Sequence, residues 1–376
     1  MPAPLLPLLV SLLAAASPGA PTLRCASDTL HADADQLWTA TLQLHNGLEY
    51  GLYGDSLVCE ITDLSTDVCR CERHQRQTLS SIAGSTSGIS AGEDSPLLLS
   101  IKAISERAHI VYRAYVHDGQ KKVYVLSDSV EAEGGELFDR YPSRLVNSGG
   151  TEIEIVTGAA ASASASVPGV LLVPDDDATA RRLVATIDHF VQRGWNVVAV
   201  SPPGYGRSGG RADLGGPATQ AALDVALKAL TAMPGADRKR IAVWGTGRGA
   251  QAALLFAASH PELCGVVAID AVYDLWASWR AAPSAGRSDI LAEAGRDSAG
   301  WRSRSPLVSA TAGRVPRLVV ESAGAPGAGA ARAFALACAA HGASIDTLFM
   351  GPPTPHSARR DPARTAVEFL TRVTTP

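Results

Sequence analysis

Trp244-Gly-Thr-Gly-Arg-Gly-Ala250 lies between an apolar run and a helix-like stretch, and its spacing is that of a catalytic turn. In a G-x-S-x-G elbow a strand turns sharply into a helix and lifts a serine hydroxyl to where it can attack a carbonyl. Gly245 and Gly249 hold the two flanking positions, but the central residue is Gly247, which has no side chain to attack with. Such chemistry also needs a base, an acid to orient that base, and N–H donors for the developing oxyanion. The backbone N–H of Arg248 sits at the donor position that this turn supplies. The central residue of an elbow is held at positive φ, which costs a non-glycine residue on the order of 1–3 kcal/mol. Glycine relieves that strain, so loss of the serine removes chemistry while helping the turn.

Other residues have the types for chemistry. Asp175, Asp176 and Asp177 together with His356 could hold a divalent cation. The same aspartates directly precede "ATARRLVATIDHF", where negative charge suits a helix N-terminus, and that reading is preferred. "CRCERH" (69–74) offers thiolates and an imidazole, but its C-x-C spacing lacks a matching second half, so disulfides are expected there rather than a metal. Thr246 borders the elbow, and Ser208 lies in "GYGRSGG", where serine is most often a turn residue. No resident metal or cofactor is implied.

The chain has 376 residues, enough for two domains, and its formal net charge is −4. Arginines outnumber lysines but are scattered, so nothing marks a nucleic-acid surface. "LLPLLVSLLAAASPGA" (5–20) is an apolar run followed by small residues, which predicts a signal peptide over residues 1–20 and export to an extracytoplasmic compartment. The run is too short for a comfortable membrane span, so no stable span is expected after cleavage. Cys25, Cys59, Cys69 and Cys71 cluster early in the chain, where an oxidising compartment would allow two disulfides of undetermined pairing. Cys264 and Cys338 fall in apolar segments and read as buried, inert thiols.

From Leu37 the chain alternates, with Trp38, Ala40, Leu42 and Leu44 on one face. Asn46-Gly47 then predicts a hairpin to Leu48–Leu52, and Asp118-Gly119 predicts a second between "HIVYRAYV" and "KKVYVLSD". Residues 22–140 are therefore expected to form a small β domain stapled by disulfides. After the low-complexity "AAASASASVPG" the pattern changes. "GVLLVP", "NVVAVS", "RIAVWG", "GVVAID" and "RLVVES" are short apolar runs suited to buried parallel strands, and helical stretches lie between them. That rhythm predicts an α/β class: a mostly parallel sheet with helices on both faces over residues 141–376.

Here the sequence resembles the α/β-hydrolase superfamily, in its prolyl-oligopeptidase-like and dienelactone-hydrolase-like branch. "SPPGYGRSGG" looks like the loop after the family's fourth strand, and "RIAVWGTGRGAQAALLFAASHPE" like its elbow. "AIDAVYDLWASW", "VPRLVVES" and "GPPTPHSARRDPARTAVEFLTR" match later segments in the correct order. The resemblance implies that the nucleophile position is Gly247, the acid position Ala325 in "SAGAP", and the base position His356. It also implies that "PDDD" (174–177) replaces a loop that would supply an oxyanion donor. Asp270 or Asp274, after the sixth strand, are the candidate substitute acids.

Three classes of function stay open. One is a secreted, catalytically degenerate homologue that binds a small molecule or protein at the old cleft. The second is an active esterase- or peptidase-like hydrolase with relocated catalytic residues. In the third, the β domain carries an interaction function and the hydrolase-like half is a scaffold.

Overall fold

The computed structural model describes residues 20–32, 37–49, 52–63, 71–77, 89, 91–102, 107–118, 122–161, 166–175, 179–312, 314–322, 328–350 and 362–375. Residues 5–19 of the apolar N-terminal run, together with Cys69, Asp176, Asp177, Ala325 and His356, lie outside the described residues. The chain divides into two compact units, the second beginning its long continuous stretch at Gly134.

The first unit is all β. Its strands are β1 (Thr22–Cys25), β2 (Thr29–His31), β3 (Leu37–His45), β4 (Leu52–Asp63), β5 (Cys71–Gln77), β6 (Asp94–Lys102), β7 (Arg107–Asp118) and β8 (Val123–Glu133). They form a three-stranded sheet, β1-β3-β6, and a five-stranded sheet, β2-β8-β7-β4-β5. The alternation read from the sequence holds. Trp38, Ala40, Leu42 and Leu44 are buried from one sheet, and Ile110, Tyr112, Ala114 and Val116 from the other.

Of the two expected hairpins, only one forms. β7 and β8 pair antiparallel about Asp118, whose side chain accepts from Lys122 N. The Asn46-Gly47 turn instead carries the chain from one sheet to the other, because β3 pairs with β1 and β6 while β4 pairs with β5 and β7. Asn46 is buried, accepting from Leu48 N and donating to Ile89 O. Its side chain makes a local turn, and partner choice is settled elsewhere.

The cysteines also depart from expectation, since Cys25 and Cys59 are free thiols. Cys59 stands opposite Tyr112, Tyr112 stands opposite Asp128, and Cys25 N donates to Asp128 at 2.5 Å. Tyr112 is thus a neighbour of both thiols, which are not bonded to each other. The "CERHQRQ" stretch forms the edge strand β5.

The second unit opens with α1 (Glu136–Arg140), β9 (Ser143–Ser148) and β10 (Thr151–Gly158). It continues with β11 (Val167–Val173), a 3-10 turn (Ala180–Leu183), α2 (Val184–Val191), β12 (Asn196–Val200) and α3 (Pro217–Thr231). Then come β13 (Ala236–Thr246), α4 (Gly247–Ser259), β14 (Gly265–Ile269), α5 (Leu275–Ala281), α6 (Ser284–Ala294) and α7 (Ser298–Ser303). The last elements are β15 (Arg317–Glu321), α8 (Ala328–Ala340), β16 (Ile345–Phe349) and α9 (Pro362–Thr374). Eight strands form one sheet in the order β16-β15-β14-β13-β11-β12-β10-β9. It is parallel from β16 to β12, with β10 and β9 added antiparallel.

All five apolar runs are strands, and β12 is buried along its whole length, as a strand covered on both faces must be. The chain runs outward from β11 to β12, then crosses back over β11 to β13. That reversal is a switch point, and ligands of open α/β sheets bind at the strand ends beside it. Among the described residues no helix is long and apolar enough to cross a membrane.

Candidate functional site

The elbow is built as its spacing requires. β13 ends at Thr246, Gly247 stands at φ +52°, and α4 starts at once. The flanking glycines are there because nothing larger fits. A Cβ on Gly245 would strike the backbone of Gly249, and one on Gly249 would strike the carbonyls of Val173 and Pro174. Strand and helix therefore meet at backbone contact, and Gly247 alone has the freedom that positive φ demands.

The place that a side chain on Gly247 would take is occupied. A Cβ there would run into the carboxylate of Asp175. Strand register accounts for this: Val173 of β11 stands opposite Gly245 of β13, so Asp175 and Gly247, each two residues further along, face one another. Asp175 Oδ1 accepts the backbone N–H of Arg248 at 3.0 Å. That amide stands where the resemblance places an oxyanion donor, and it lies in the first turn of α4, where the helix dipole also favours negative charge. The sequence reading placed Asp175 as a cap for the helix that follows it. The 3-10 turn there has Thr179 at its N-cap with no side-chain cap bond, and Asp175 reaches the elbow.

Around this contact the walls are tied together. Arg248 Nη1 meets Glu293 Oε1 at 2.8 Å, and the Tyr205 hydroxyl donates to the same oxygen at 3.0 Å. Glu293 comes from α6, so the helical segment between β14 and β15 is fastened to the elbow and to the loop after β12. Pro174, Asp175, Tyr205, Leu214, Arg248 and Glu293 line a cavity of about 30 Å³. That is room for one or two waters.

The "SPPGYGRSGG" loop is held by a buried ion pair. Arg181 Nε donates to Glu154 Oε1 at 3.0 Å, and both side chains are fully buried. Glu154 Oε2 takes the Ser201 hydroxyl and the Arg207 N–H. Ser208 donates to Ser201 O and accepts from Glu154 N. Its hydroxyl is used up in fixing the turn.

The candidate acids are engaged elsewhere. Asp274 caps α5 by accepting from Ala277 N. Asp270, a non-glycine residue at φ +52°, takes both the backbone N–H and the hydroxyl of Ser322 at 2.6 Å. A carboxylate that sequence reasoning passed over lies beside it. Glu321 ends β15, is 1% exposed, and makes no well-formed hydrogen bond through its carboxyl, the Tyr273 phenol being its weak neighbour. Burial, with Asp270 adding to it against Tyr273, pushes Glu321 up to about 7. A carboxylate ending an otherwise apolar strand was the available signal. Among the described residues no group of three or more His, Cys, Asp or Glu side chains could hold a metal.

No protein-family model matches the chain, and no curated protein does. Solved structures do resemble it. EstE1, a thermophilic carboxylesterase cloned from a metagenomic library, is 17% identical with a TM-score of 0.50, over 62% of this chain and 89% of that one. Thermogutta terrifontis esterase 2 phosphonylated by sarin is 12% identical with a TM-score of 0.50, over 62% and 95%. A Mycobacterium tuberculosis puromycin-hydrolyzing peptidase is 14% identical with a TM-score of 0.52, over 88% of this chain and 64% of that one. Identities this low speak to the fold and leave chemistry to the site. The chain has the α/β-hydrolase fold, preceded in sequence by an all-β unit.

Proposed function

We propose that this chain is a hydrolase-fold protein without serine-hydrolase chemistry, and that it acts by binding. One observation carries the reading: the Asp175 carboxylate lies in the volume of the missing nucleophile and is bonded to the Arg248 amide. An acyl substrate would have to bring its carbonyl oxygen to that amide. The oxygen would meet a donor already taken and a negative charge opposing the one it develops.

The glycine at position 247 and the carboxylate at 175 support each other. Either alone could be a variant; together they fill the place of the reacting group. A cavity with room only for water favours a partner that binds outside the cleft, a protein or an exposed ligand, over a small molecule held at the elbow. The apolar N-terminal run supports export as the setting in which that partner is met.

The test is exposure of the full chain to a fluorophosphonate probe together with an ester-turnover assay. No labelling and no turnover above the uncatalysed rate is the expected result. Stoichiometric labelling of any residue, or turnover that survives purification to homogeneity, overturns the reading.

A further inference from the structure

We propose that Glu321 is carried as a neutral acid in the folded chain and that its ionisation opens the joint between the ends of β14 and β15, making this edge of the sheet pH-sensitive. The geometry comes first. Glu321 is 1% exposed and Tyr273 is 1% exposed, and neither makes a well-formed hydrogen bond; among the described residues the phenol and the carboxyl are each other's weak partner. Buried polar groups are almost always well satisfied, so a carboxyl and a phenol left with only this contact call for an explanation.

The groups around Glu321 supply one. From the end of β14 comes Asp270, whose carboxylate already holds Ser322 N and Oγ. From the segment after β14 comes Tyr273. β16 contributes Phe349, in register with Glu321, and Met350, whose N–H bonds to Glu321 O. α8 places Phe334 against the Tyr273 ring and Cys338 near its hydroxyl. No cation acts on the Glu321 carboxyl among the described residues. A charge on Glu321 would therefore be buried, unpaired and beside Asp270.

Neutral, Glu321 can stay where it is. Charged, it gains most by reaching water, and the adjoining Ser322–Asp270 clamp is what must give. Asp270 also stands at φ +52°, a conformation costly to a non-glycine residue, so opening the joint gives that backbone freedom to relax.

The sign follows from the direction of the shift. Closed, the acid holds its proton up to about 7; opened to solvent it returns to its ordinary 4.5. Below the lower value both states are protonated and the joint does not sense pH. Between the two values only the open state releases its proton, so opening grows by close to tenfold per pH unit. Above the upper value the effect levels off.

Hydrogen exchange on the full chain between pH 4 and 8 tests this, with intrinsic amide rates divided out. The amides to follow are Asp270, Ser322 and Met350, which bond to Val320 O, Asp270 Oδ1 and Glu321 O. Their opening constants are expected to rise about fortyfold from pH 5 to pH 7 and then level, while β11 amides stay flat. In Glu321→Gln the rise should vanish. A flat profile in the wild type, or the same rise in Glu321→Gln, overturns the proposal. If Glu321→Gln does not fold, the carboxyl carbon shift of Glu321 in the wild-type chain decides. A protonated signal at pH 6 is expected, and an ionised one at pH 5 overturns the proposal.

Discussion

Asp175 and Gly247 share one volume: the carboxylate of the first occupies the position that any side chain on the second would need. The N–H of Arg248, next in sequence to Gly247, completes the arrangement by donating to Asp175 Oδ1 at 3.0 Å. The register of β11 and β13 makes this contact, so it belongs to the sheet and not to a wandering loop.

The first prediction concerns that shared volume. Gly247→Ser should destabilise the chain twice over, by strain at φ +52° and by displacing Asp175. Strain alone is worth on the order of 1–3 kcal/mol. Asp175→Ala should lose a charge-assisted bond to a helix N-terminus, about 1–2 kcal/mol. In the double variant the crowding is gone, so the two costs should fall short of their sum by more than about 1 kcal/mol. Urea denaturation of the four proteins measures this. Simple additivity would mean that Asp175 moves aside freely.

A second prediction follows for activity. Gly247→Ser alone should not hydrolyse esters, because Asp175 stays on the donor amide and position 325 holds alanine. Each further change removes one defect. Asp175→Ala frees the Arg248 amide, a donor worth about 10²–10³-fold, and Ala325→Asp supplies the family's missing acid. Measurable turnover is expected only when the changes are combined. Full turnover from the single serine would show that the hole was open and that an acid was present all along.

How much of this was legible in the sequence depends on range. β11 to β15 could be read because each is a short apolar run whose burial on both faces leaves no alternation to interpret. The elbow could be read because its glycines recur at a fixed local spacing: Gly245 meets the backbone of Gly249, and Gly247 turns the chain at positive φ. β9, β10 and β16 mix polar and apolar residues and gave no comparable signal. The Asn46-Gly47 hairpin failed for a related reason. A turn signal is local, whereas the partner of β3 is chosen by apolar faces far along the chain. The reach of Asp175 to the elbow was hidden in the same way: beside a helix in sequence it looks like a cap, and only the pairing of Val173 with Gly245 brings it to Arg248 N.

The third prediction tests the ion pair under the "SPPGYGRSGG" loop. Glu154→Ala would leave Arg181 buried with its carboxylate partner gone and would also strip Ser201 and Arg207 of their acceptor. A cost of about 3–5 kcal/mol is expected. Replacing both partners with apolar residues, Glu154→Leu with Arg181→Met, should cost less than the single change, since the buried guanidinium is removed together with its carboxylate. Thermal unfolding of the two variants measures the difference, and a milder single variant would show that the pair is not what holds the loop.

The last prediction concerns the thiols. Burial pushes Cys59 up to about 12 and Cys264 up to about 11, and it raises Cys25 and Cys338 as well. The thiolate is the reactive form, so at pH 8 a group near 12 has roughly a thousandth of the thiolate of an ordinary cysteine. Native Cys59 should therefore alkylate at least about a thousandfold more slowly than in the unfolded chain, and a little urea should speed it through local opening. The same reagent also decides between the free thiols seen in the fold and the disulfides that the early cysteines suggest. Denatured without reductant, Cys25 and Cys59 should both be tagged. If they are tagged only after reduction, they are bridged in the mature protein. Mapping which of Cys25, Cys59, Cys69 and Cys71 are joined would then settle the pairing.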